Sequence, residues 1–187
     1  MRRGFKAQAE QLAIKQREEF GITVQDRLSP REFLLTKGII VWTPEEVPNI
    51  DSNSLFQLTQ KDPNSWSGLT VKEGKHIAVI VNSSHSIARQ ANTLIHEWAH
   101  IELRHKPSRA DRSDGGILLL SDYPAETEEE ADWLSACMLT PRDGLLYHCK
   151  AGMSAAQVAD HYGVSKDLAK WRIGKTGINR QLSYGRR

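Results

Sequence analysis

The stretch that decides the fold and its chemistry is NTLIHEWAHIELRH, residues 92–105. It holds the pattern H-E-x-x-H: His96 and His100 are four residues apart, and Glu97 directly follows the first histidine. In a helix, residues four apart lie one above the other, so both imidazoles can reach one tetrahedral zinc ion. Glu97 is turned about 100° from His96, so it is no ligand beside the histidines, yet it can reach a water molecule. The pattern predicts a zinc site with Glu97 as the general base.

The same two histidines could also be ordinary core residues of an amphipathic helix. Ala99 and Leu103 flank the histidine face, so both rings are expected to be partly buried. Buried polar groups need partners, and one metal ion satisfies both rings at once. The sequence therefore favours the metal site over a pair of core histidines.

A zinc site of this kind needs a third protein ligand. A metzincin-type site would place glycine three and histidine six positions after His100, but Leu103 and Lys106 occupy those positions. His105 is one residue off that spacing, and we expect it to be solvated. The remaining common solution is a glutamate from a second helix.

The acidic segment ETEEEADWLSACML, residues 126–139, predicts that second helix. Glu128 lies three residues before Ala131 on its apolar stripe, which favours Glu128 as the third ligand; Glu130, one face over, is the alternative. Asp132, one turn on, is expected to orient a ligand histidine through its free ring nitrogen. Acidic residues in a first helical turn also stabilise the helix dipole without any metal, so a purely structural role is the competing interpretation.

Size and composition limit the other possibilities. The 187 residues, 39% of them hydrophobic and 26% charged, predict one domain over 1–187 with a real core. A net charge of +2 is too mild to indicate a nucleic-acid-binding protein by bulk electrostatics. Cys137 and Cys149 predict neither a disulfide framework nor a cysteine zinc site. We expect no membrane-spanning segment, no signal peptide and a cytoplasmic location, because apolar runs are short and interrupted by charge.

The order of the predicted elements is typical of the α+β class. We expect a small antiparallel or mixed three-stranded sheet packed on the helix that carries the H-E-x-x-H pattern. A long loop is predicted from 106 to 125, and loops of that length are usually functional or mobile. The predicted strands are IIVW (39–42), GLTV (68–71) and HIAVIV (76–81), the last two joined as a hairpin.

At this point the sequence resembles the ImmA/IrrE metallopeptidases, a small gluzincin-like family. The matching segments are WSGLTV (66–71), IAVIVNSSHSIARQANTLIHEWAHIELRH (77–105) and ETEEEADWLSACMLTPRDGLL (126–146). The family's strand-ending asparagine, its arginine, its second acidic helix and its closing proline correspond to Asn82, Arg89, Glu128–Asp132 and Pro141. Thr140 stands where many members have methionine. RGFKAQAEQLA (3–13) is similar to the family's opening helix, so the resemblance covers nearly the whole chain.

The resemblance implies a minimal gluzincin-like peptidase fold with additional helices. It implies zinc bound by His96, His100 and Glu128, with Glu97 as the general base. It further implies hydrolysis of a peptide bond, typically in a helix-turn-helix repressor, with relief of repression in stress or mobile-element control. The residues alone indicate a zinc hydrolase; the protein substrate and its regulatory role are what the resemblance adds.

The strand before the metal-binding helix offers a place for a peptide substrate. If Val79, Ile80, Val81 and Asn82 form an exposed edge, an extended peptide can add to it by β-augmentation above the metal. An ordinary interior strand is the equally supported interpretation. Tyr147, His148, His161 and Tyr162 are available as donors to a developing oxyanion, but sequence alone does not place them.

The C-terminal segment suggests a function of a different class. Ala159, the turn at Gly163 and the anchor Leu168 have the spacing of a helix-turn-helix, and a basic tail follows within residues 153–187. A DNA-binding transcriptional regulator is therefore the alternative function. Trp171 and Ile173 have the character of packing residues, so we expect these helices to pack on the same domain and not to bind nucleic acid directly. The basic residues concerned are Lys166, Lys170, Arg172, Lys175, Arg180, Arg186 and Arg187.

A third interpretation is a zinc-bound fold that only binds a partner. The intact Glu97 argues against it, since a pure binding module has no use for a general base.

Overall fold

The computed structural model describes residues 1–112 and 118–184, and the chain forms two compact units. The sheet unit comprises Ser29–Ala131, and the helical unit comprises Met1–Leu28 together with Asp132–Arg187. The division falls inside one continuous helix, Ala125–Leu139. The single domain expected over residues 1–187 stays a prediction. Arg186 and Arg187, counted in the basic tail, lie outside the described residues.

The sheet unit contains the elements that carry the predicted site. Helix α4 begins after Ser86, whose side chain accepts a hydrogen bond from the Arg89 amide, as an N-cap residue does. The elements are α2 (Pro30–Thr36), β1 (Ile39–Trp42), a 3₁₀ turn (Pro44–Glu46), α3 (Ser52–Phe56), a π-helical turn (Gln57–Lys61), β2 (Gly68–Glu73), β3 (His76–Val81), α4 (Ile87–Glu102), β4 (Arg109–Arg112), β5 (Leu118–Ser121) and the start of α5 (Ala125–Leu139).

The α+β class is confirmed. The three predicted strands form a mixed sheet in which β1 runs parallel to β3, and β2 and β3 form the antiparallel hairpin. The described strands continue the sheet beyond β2, in the order β1-β3-β2-β5-β4. The expectation of a loop throughout 106–125 is therefore wrong: Leu118–Leu120 pair with β2 at Thr70–Lys72. In this pairing, β5 supplies hydrogen-bond partners to backbone groups along one edge of β2. The local sequence pattern does not reveal which segment pairs there.

The interpretation of β3 as an exposed edge is also wrong. Residues 77–80 pair with β1 on one side, and residues 76–81 pair with β2 on the other. Val79, Ile80 and Val81 are thus buried interior strand residues with no free ladder along 79–80 for a substrate. Asn82 is buried as well, and its backbone amide donates to the Ser67 carbonyl. Among the described strands, the sheet edges are β1 and β4.

The core of the sheet unit lies between α4 and the sheet. Leu94, Ile95, Trp98 and Ala99 of α4 recur three and four residues apart and are all buried, which is the pattern of one helix face against a sheet. The Trp98 ring meets the ring of Phe33 from α2 edge-on, with centroids 5.0 Å apart. This packing fixes the rotation of α4 and hence the direction in which His96 and His100 point.

The helical unit consists of α1 (Phe5–Glu19), the remainder of α5, α6 (Arg142–Lys150), α7 (Ala155–Tyr162), α8 (Lys166–Lys175) and α9 (Ile178–Tyr184). Gly163 ends α7 at a φ of 68°, and the Ser165 side chain caps α8 by accepting from the Leu168 amide. Two helices joined by a turn at Gly163 are thus present, and their assignment as a helix-turn-helix stays a prediction. None of the helices in the described ranges combines the length and apolarity needed to cross a bilayer.

Two arginines are buried in this unit, and both bind carbonyl groups at the end of α5. Arg172 donates to the Thr140 carbonyl at 3.1 Å and forms an ion pair with Glu10 at 2.6 Å. Arg17 donates to the Met138 carbonyl at 2.5 Å and to the Thr23 carbonyl at 2.9 Å. A helix leaves its last carbonyls without helical partners, and these guanidinium groups supply them.

Candidate metal centre

The three side chains predicted as metal ligands come together in the sheet unit. His96 Nε2 and His100 Nε2 are 3.0 Å apart. The Glu128 carboxylate lies 3.2 Å from His96 Nε2 through Oε2, and 3.6 Å from His100 Nε2 through Oε1. A tetrahedral zinc with bonds of about 2.0–2.2 Å holds its ligand atoms roughly 3.3–3.6 Å from one another. The 3.6 Å distance lies within this range, and the distances of 3.2 and 3.0 Å lie about 0.1 and 0.3 Å below it. Small rotations of the side chains would therefore let the three groups hold one ion, with the helices in place.

The chemistry of the donor set agrees with the spacing. Two imidazole nitrogens and one carboxylate oxygen are a set that zinc takes in catalytic sites, where three protein ligands leave a coordination position open. The side chain of His100 is 1% exposed and that of His96 19%, whereas that of Glu128 is 40% exposed. Among the three side chains, that of His100 is therefore buried and that of Glu128 is the most exposed to solvent.

Two local features place these ligands. The histidines occupy adjacent turns of α4, and their ring centroids are 4.7 Å apart. Glu128 lies in the first turn of α5, where its backbone amide donates to the Pro124 carbonyl. Helix α5 cannot extend through Pro124 towards the N-terminus, which fixes where the helix begins. The glutamate thus approaches from a separate element, as a third ligand to an i, i+4 histidine pair must.

Glu97 is held beside the cluster by β2. The Thr70 hydroxyl donates a hydrogen bond to Glu97 Oε2. A Cβ on Gly68 would lie 2.5 Å from Thr93 Cγ2 and 3.6 Å from Glu97 Cγ, so only glycine allows α4 to pass this closely over β2. Burial raises the pKa of Glu97 above its ordinary value, and the Thr70 hydrogen bond and His96 offset part of that rise. A carboxyl shifted in this direction is better matched to proton transfer near neutral pH.

The alternative third ligand, Glu130, lies elsewhere. Its carboxylate is 3.6 Å from His105 Nε2, and it is not part of the group formed by His96, His100 and Glu128. The expectation that His105 is solvated is wrong, because its side chain is only 6% exposed. Asp132 is exposed on α5, and its role in orienting a ligand histidine stays a prediction.

One aromatic residue at the cluster was not found from the sequence. Tyr123 stacks on the His100 ring with centroids 3.7 Å apart and planes 24° apart. Burial, together with the charges of Glu97 and Glu128, raises the pKa of Tyr123 to about 12. Tyr123 belongs to the segment expected to be a loop, where the sequence has no periodicity that would indicate a packed residue. Its position next to Pro124 is the only sequence feature that separates it from the rest of that segment.

The oxyanion donors considered from the sequence belong to the helical unit. His148 and His161 place their Nε2 atoms 3.3 and 2.6 Å from the Gln25 carbonyl. The Tyr162 hydroxyl donates to the Val24 carbonyl at 2.8 Å. These contacts hold the chain near residues 24 and 25 against α6 and α7, which gives the three side chains a structural role.

Asn82, considered as a substrate-binding residue, organises the chain around β2 instead. Its amide donates to the carbonyls of Pro63 and Trp66, at 2.5 and 2.9 Å. Its side-chain oxygen accepts from the backbone amide and the hydroxyl of Ser84. Because its polar atoms are committed within the fold, Asn82 positions the segment that leads into β2.

Comparison with known families gives one match. Residues 67–173, more than half of the chain, match the family model described as IrrE N-terminal-like domain, Peptidase_M78. The matched range contains β2, β3, α4 and α5, and with them His96, Glu97, His100 and Glu128. Searches among curated proteins and among solved structures gave no significant match.

Proposed function

Because the chain belongs to the IrrE N-terminal-like family of peptidases, we propose that it is a zinc metallopeptidase. The observation that carries the proposal is the meeting of His96, His100 and Glu128 at distances of 3.0–3.6 Å. A carboxylate suited to general-base catalysis, that of Glu97, lies on the next residue after the first histidine. Family membership and site geometry therefore support the same reaction class.

His96, His100 and Glu128 would hold the ion. Zinc bound there supplies Lewis acidity, which polarises the scissile carbonyl and makes water a better nucleophile. Glu97 takes a proton from the attacking water as the new carbon–oxygen bond forms. It then delivers that proton to the amine nitrogen as the carbon–nitrogen bond breaks, so the proton is conserved through the reaction. Thr70 keeps the carboxylate in place through its hydrogen bond to Oε2.

Tyr123 is the residue best placed to assist the developing oxyanion. Its ring lies on His100, and its hydroxyl is within the electrostatic influence of both Glu97 and Glu128. A phenol held at the edge of the cluster can donate a hydrogen bond to negative charge that forms on the substrate carbonyl. This assignment replaces the donors considered from the sequence, of which His148, His161 and Tyr162 have hydrogen-bond partners in the helical unit.

The proposed substrate is a DNA-binding repressor of the helix-turn-helix kind or a similar regulatory protein. Cleavage would relieve repression in stress or in the control of a mobile element. This part of the proposal rests on the family resemblance and places the enzyme in the cytoplasm, where such a repressor acts. The DNA-binding alternative loses support, because the Arg172 guanidinium is buried against Glu10 and cannot reach a phosphate.

The test is cleavage of a purified helix-turn-helix repressor by this protein, followed by mass spectrometry of the products. The wild type is expected to cut it, to lose activity when zinc is stripped by a chelator, and to regain activity when zinc is restored. Glu97→Gln should keep its zinc and lose about 10²–10⁴-fold in rate. Glu102→Gln, an exposed glutamate at the end of the same helix, is the matched control and should cleave normally. Equal rates for wild type and Glu97→Gln would refute the proposed mechanism.

A further inference from the structure

A second histidine and a buried carboxylate stand behind the candidate metal centre. His105 Nδ1 lies 3.0 Å from His100 Nδ1, the ring nitrogen that faces away from Glu128. His105 Nε2 in turn lies 3.6 Å from Glu130 Oε2. The side chains of His105 and Glu130 are 6% and 5% exposed, so this row of groups is withdrawn from solvent. Neither residue belongs to the group of possible ligands formed by His96, His100 and Glu128.

The row allows only one placement of protons if His100 is to bind a metal ion through Nε2. The Nε2 lone pair must then be free, so the proton of the neutral ring sits on Nδ1 and is donated to His105 Nδ1. His105 therefore carries its own proton on Nε2, the atom that faces the Glu130 carboxylate. The proton on His105 Nε2 then lies 3.6 Å from Glu130 Oε2, a distance for attraction between charges and too long for a hydrogen bond.

The end of α4 explains how His105 reaches this place. The Arg104 backbone has a φ of 53°, in the left-handed region. The Arg104 amide donates to the Ile101 carbonyl, and the His105 amide donates to the His100 carbonyl at 3.0 Å. These are the two hydrogen bonds of a Schellman motif, which reverses the chain and brings the second residue after the cap against the last turn of the helix. The side chain of His105 is thereby placed against that of His100.

From this arrangement we propose that His105 and Glu130 are positioning residues for the metal ligand His100. His105 accepts the Nδ1 proton, which fixes the tautomer and the orientation of the His100 ring. The nearby Glu130 carboxylate favours, by charge attraction at 3.6 Å, the His105 tautomer that carries its proton on Nε2. The inference rests on the proposed function, since it assumes that the cluster binds zinc. Partners of this kind typically contribute a factor of about 10–100 to metal affinity.

The test is the zinc affinity of variants, measured by competition with a chromophoric chelator. His105→Leu removes the acceptor and is expected to weaken zinc binding about 10–100-fold. His105→Asn offers an amide oxygen near the position of Nδ1 and should stay within about 3-fold of wild type, because it can still accept the proton. Glu130→Gln, which keeps an acceptor but loses the charge, should fall between them. Circular dichroism of each metal-free variant checks that the fold is retained.

The outcomes separate this inference from the proposed function. Equal weakening by His105→Leu and His105→Asn would show that only packing matters and would overturn the inference, as would no weakening by His105→Leu. An unchanged zinc affinity in Glu130→Gln would show that Glu130 is not a positioning residue. Two zinc ions per wild-type chain would also overturn it, because His105 would then be a ligand of a second ion. If the affinities follow the prediction but no substrate is cleaved, the inference stands and the proposed function fails.

Discussion

Both units bring polar and charged side chains together, but they arrange them in different ways. In the helical unit, Arg172 donates to the Thr140 carbonyl and to Glu10, so positive donors face acceptors supplied by the chain itself. In the candidate metal centre, two imidazole nitrogens and a carboxylate, each with a lone pair to give, face a common point. The first arrangement is complete within the polypeptide and stabilises it. The second could be completed by a cation from outside, as the proposed function requires.

The largest expected effect on stability comes from breaking the structural cluster. Arg172→Met leaves Glu10 and the Thr140 carbonyl without their buried partner, and removing one member of a buried pair costs about 3–5 kcal/mol. Urea unfolding should show this loss in the free energy of unfolding. Lys170→Met, an exposed change in the same helix, is the control and should alter the midpoint little. A similar small change in both variants would mean that Arg172 does not hold the unit together.

The next effect comes from the close approach of α4 to β2. Gly68→Ala would place a methyl group 2.5 Å from Thr93 Cγ2, so we expect destabilisation of about 1–3 kcal/mol from overpacking. Thr93→Ser removes that methyl, and the double variant should recover most of the loss. A double-mutant cycle by urea unfolding measures the coupling between the two sites. Strict additivity would contradict the proposed contact.

A smaller effect is expected on the position of the proposed general base. Thr70→Val removes the hydroxyl that donates to Glu97 while keeping the side-chain shape. One hydrogen bond to a charged group contributes about 1.5 kcal/mol at the low end, which corresponds to roughly 10-fold in cleavage rate. Thr70→Ser keeps the donor and should cleave at nearly the wild-type rate. If both variants lose activity equally, packing rather than the hydrogen bond is responsible.

The smallest effect concerns acid stability in the sheet unit. His85 is buried, and within the described part of the chain neither of its ring nitrogens has a hydrogen-bond partner. Burial, and then the charge of Arg89, lowers the pKa of His85 below its ordinary value of about 6.5. Below pH of about 6.5 the unfolded chain therefore takes up a proton that the folded protein resists, and stability falls as the pH falls towards the folded-state pKa. In His85→Gln, the fall in stability with falling pH should be smaller. The measurement is the urea midpoint between pH 5 and 8; parallel curves for both proteins would contradict it.

The sequence predicted those features of the site that are determined by residues close together in the chain. His96 and His100 meet because an i, i+4 spacing is fixed by the helix itself. Glu128 was identified from the apolar stripe of a second helix, which also follows from periodicity. Pairing between distant strands has no such local signature, so the sequence left the position of β3 open between edge and interior and did not predict the addition of β5 to β2.

His105 shows the same limit at the end of a helix. The stretch that carries the H-E-x-x-H pattern runs on to His105, whereas α4 ends at Glu102 and the chain reverses at Arg104. Glycine usually marks such a reversal, and an arginine in the left-handed region gives no signal. Tyr123 was missed because its contact with His100 joins residues that are far apart in the sequence. The local chemistry was therefore predictable, and the groups packed around it were not.

The most direct test is the zinc content of the purified protein by elemental analysis, after loading with zinc and removal of the free metal. We expect one zinc per chain in the wild type and in Glu129→Ala, which alters an exposed neighbour in the same turn. We expect far less than one zinc per chain in Glu128→Ala, because only two protein ligands remain. A wild type that retains no zinc, or a Glu128→Ala protein that retains as much as the wild type, would contradict it.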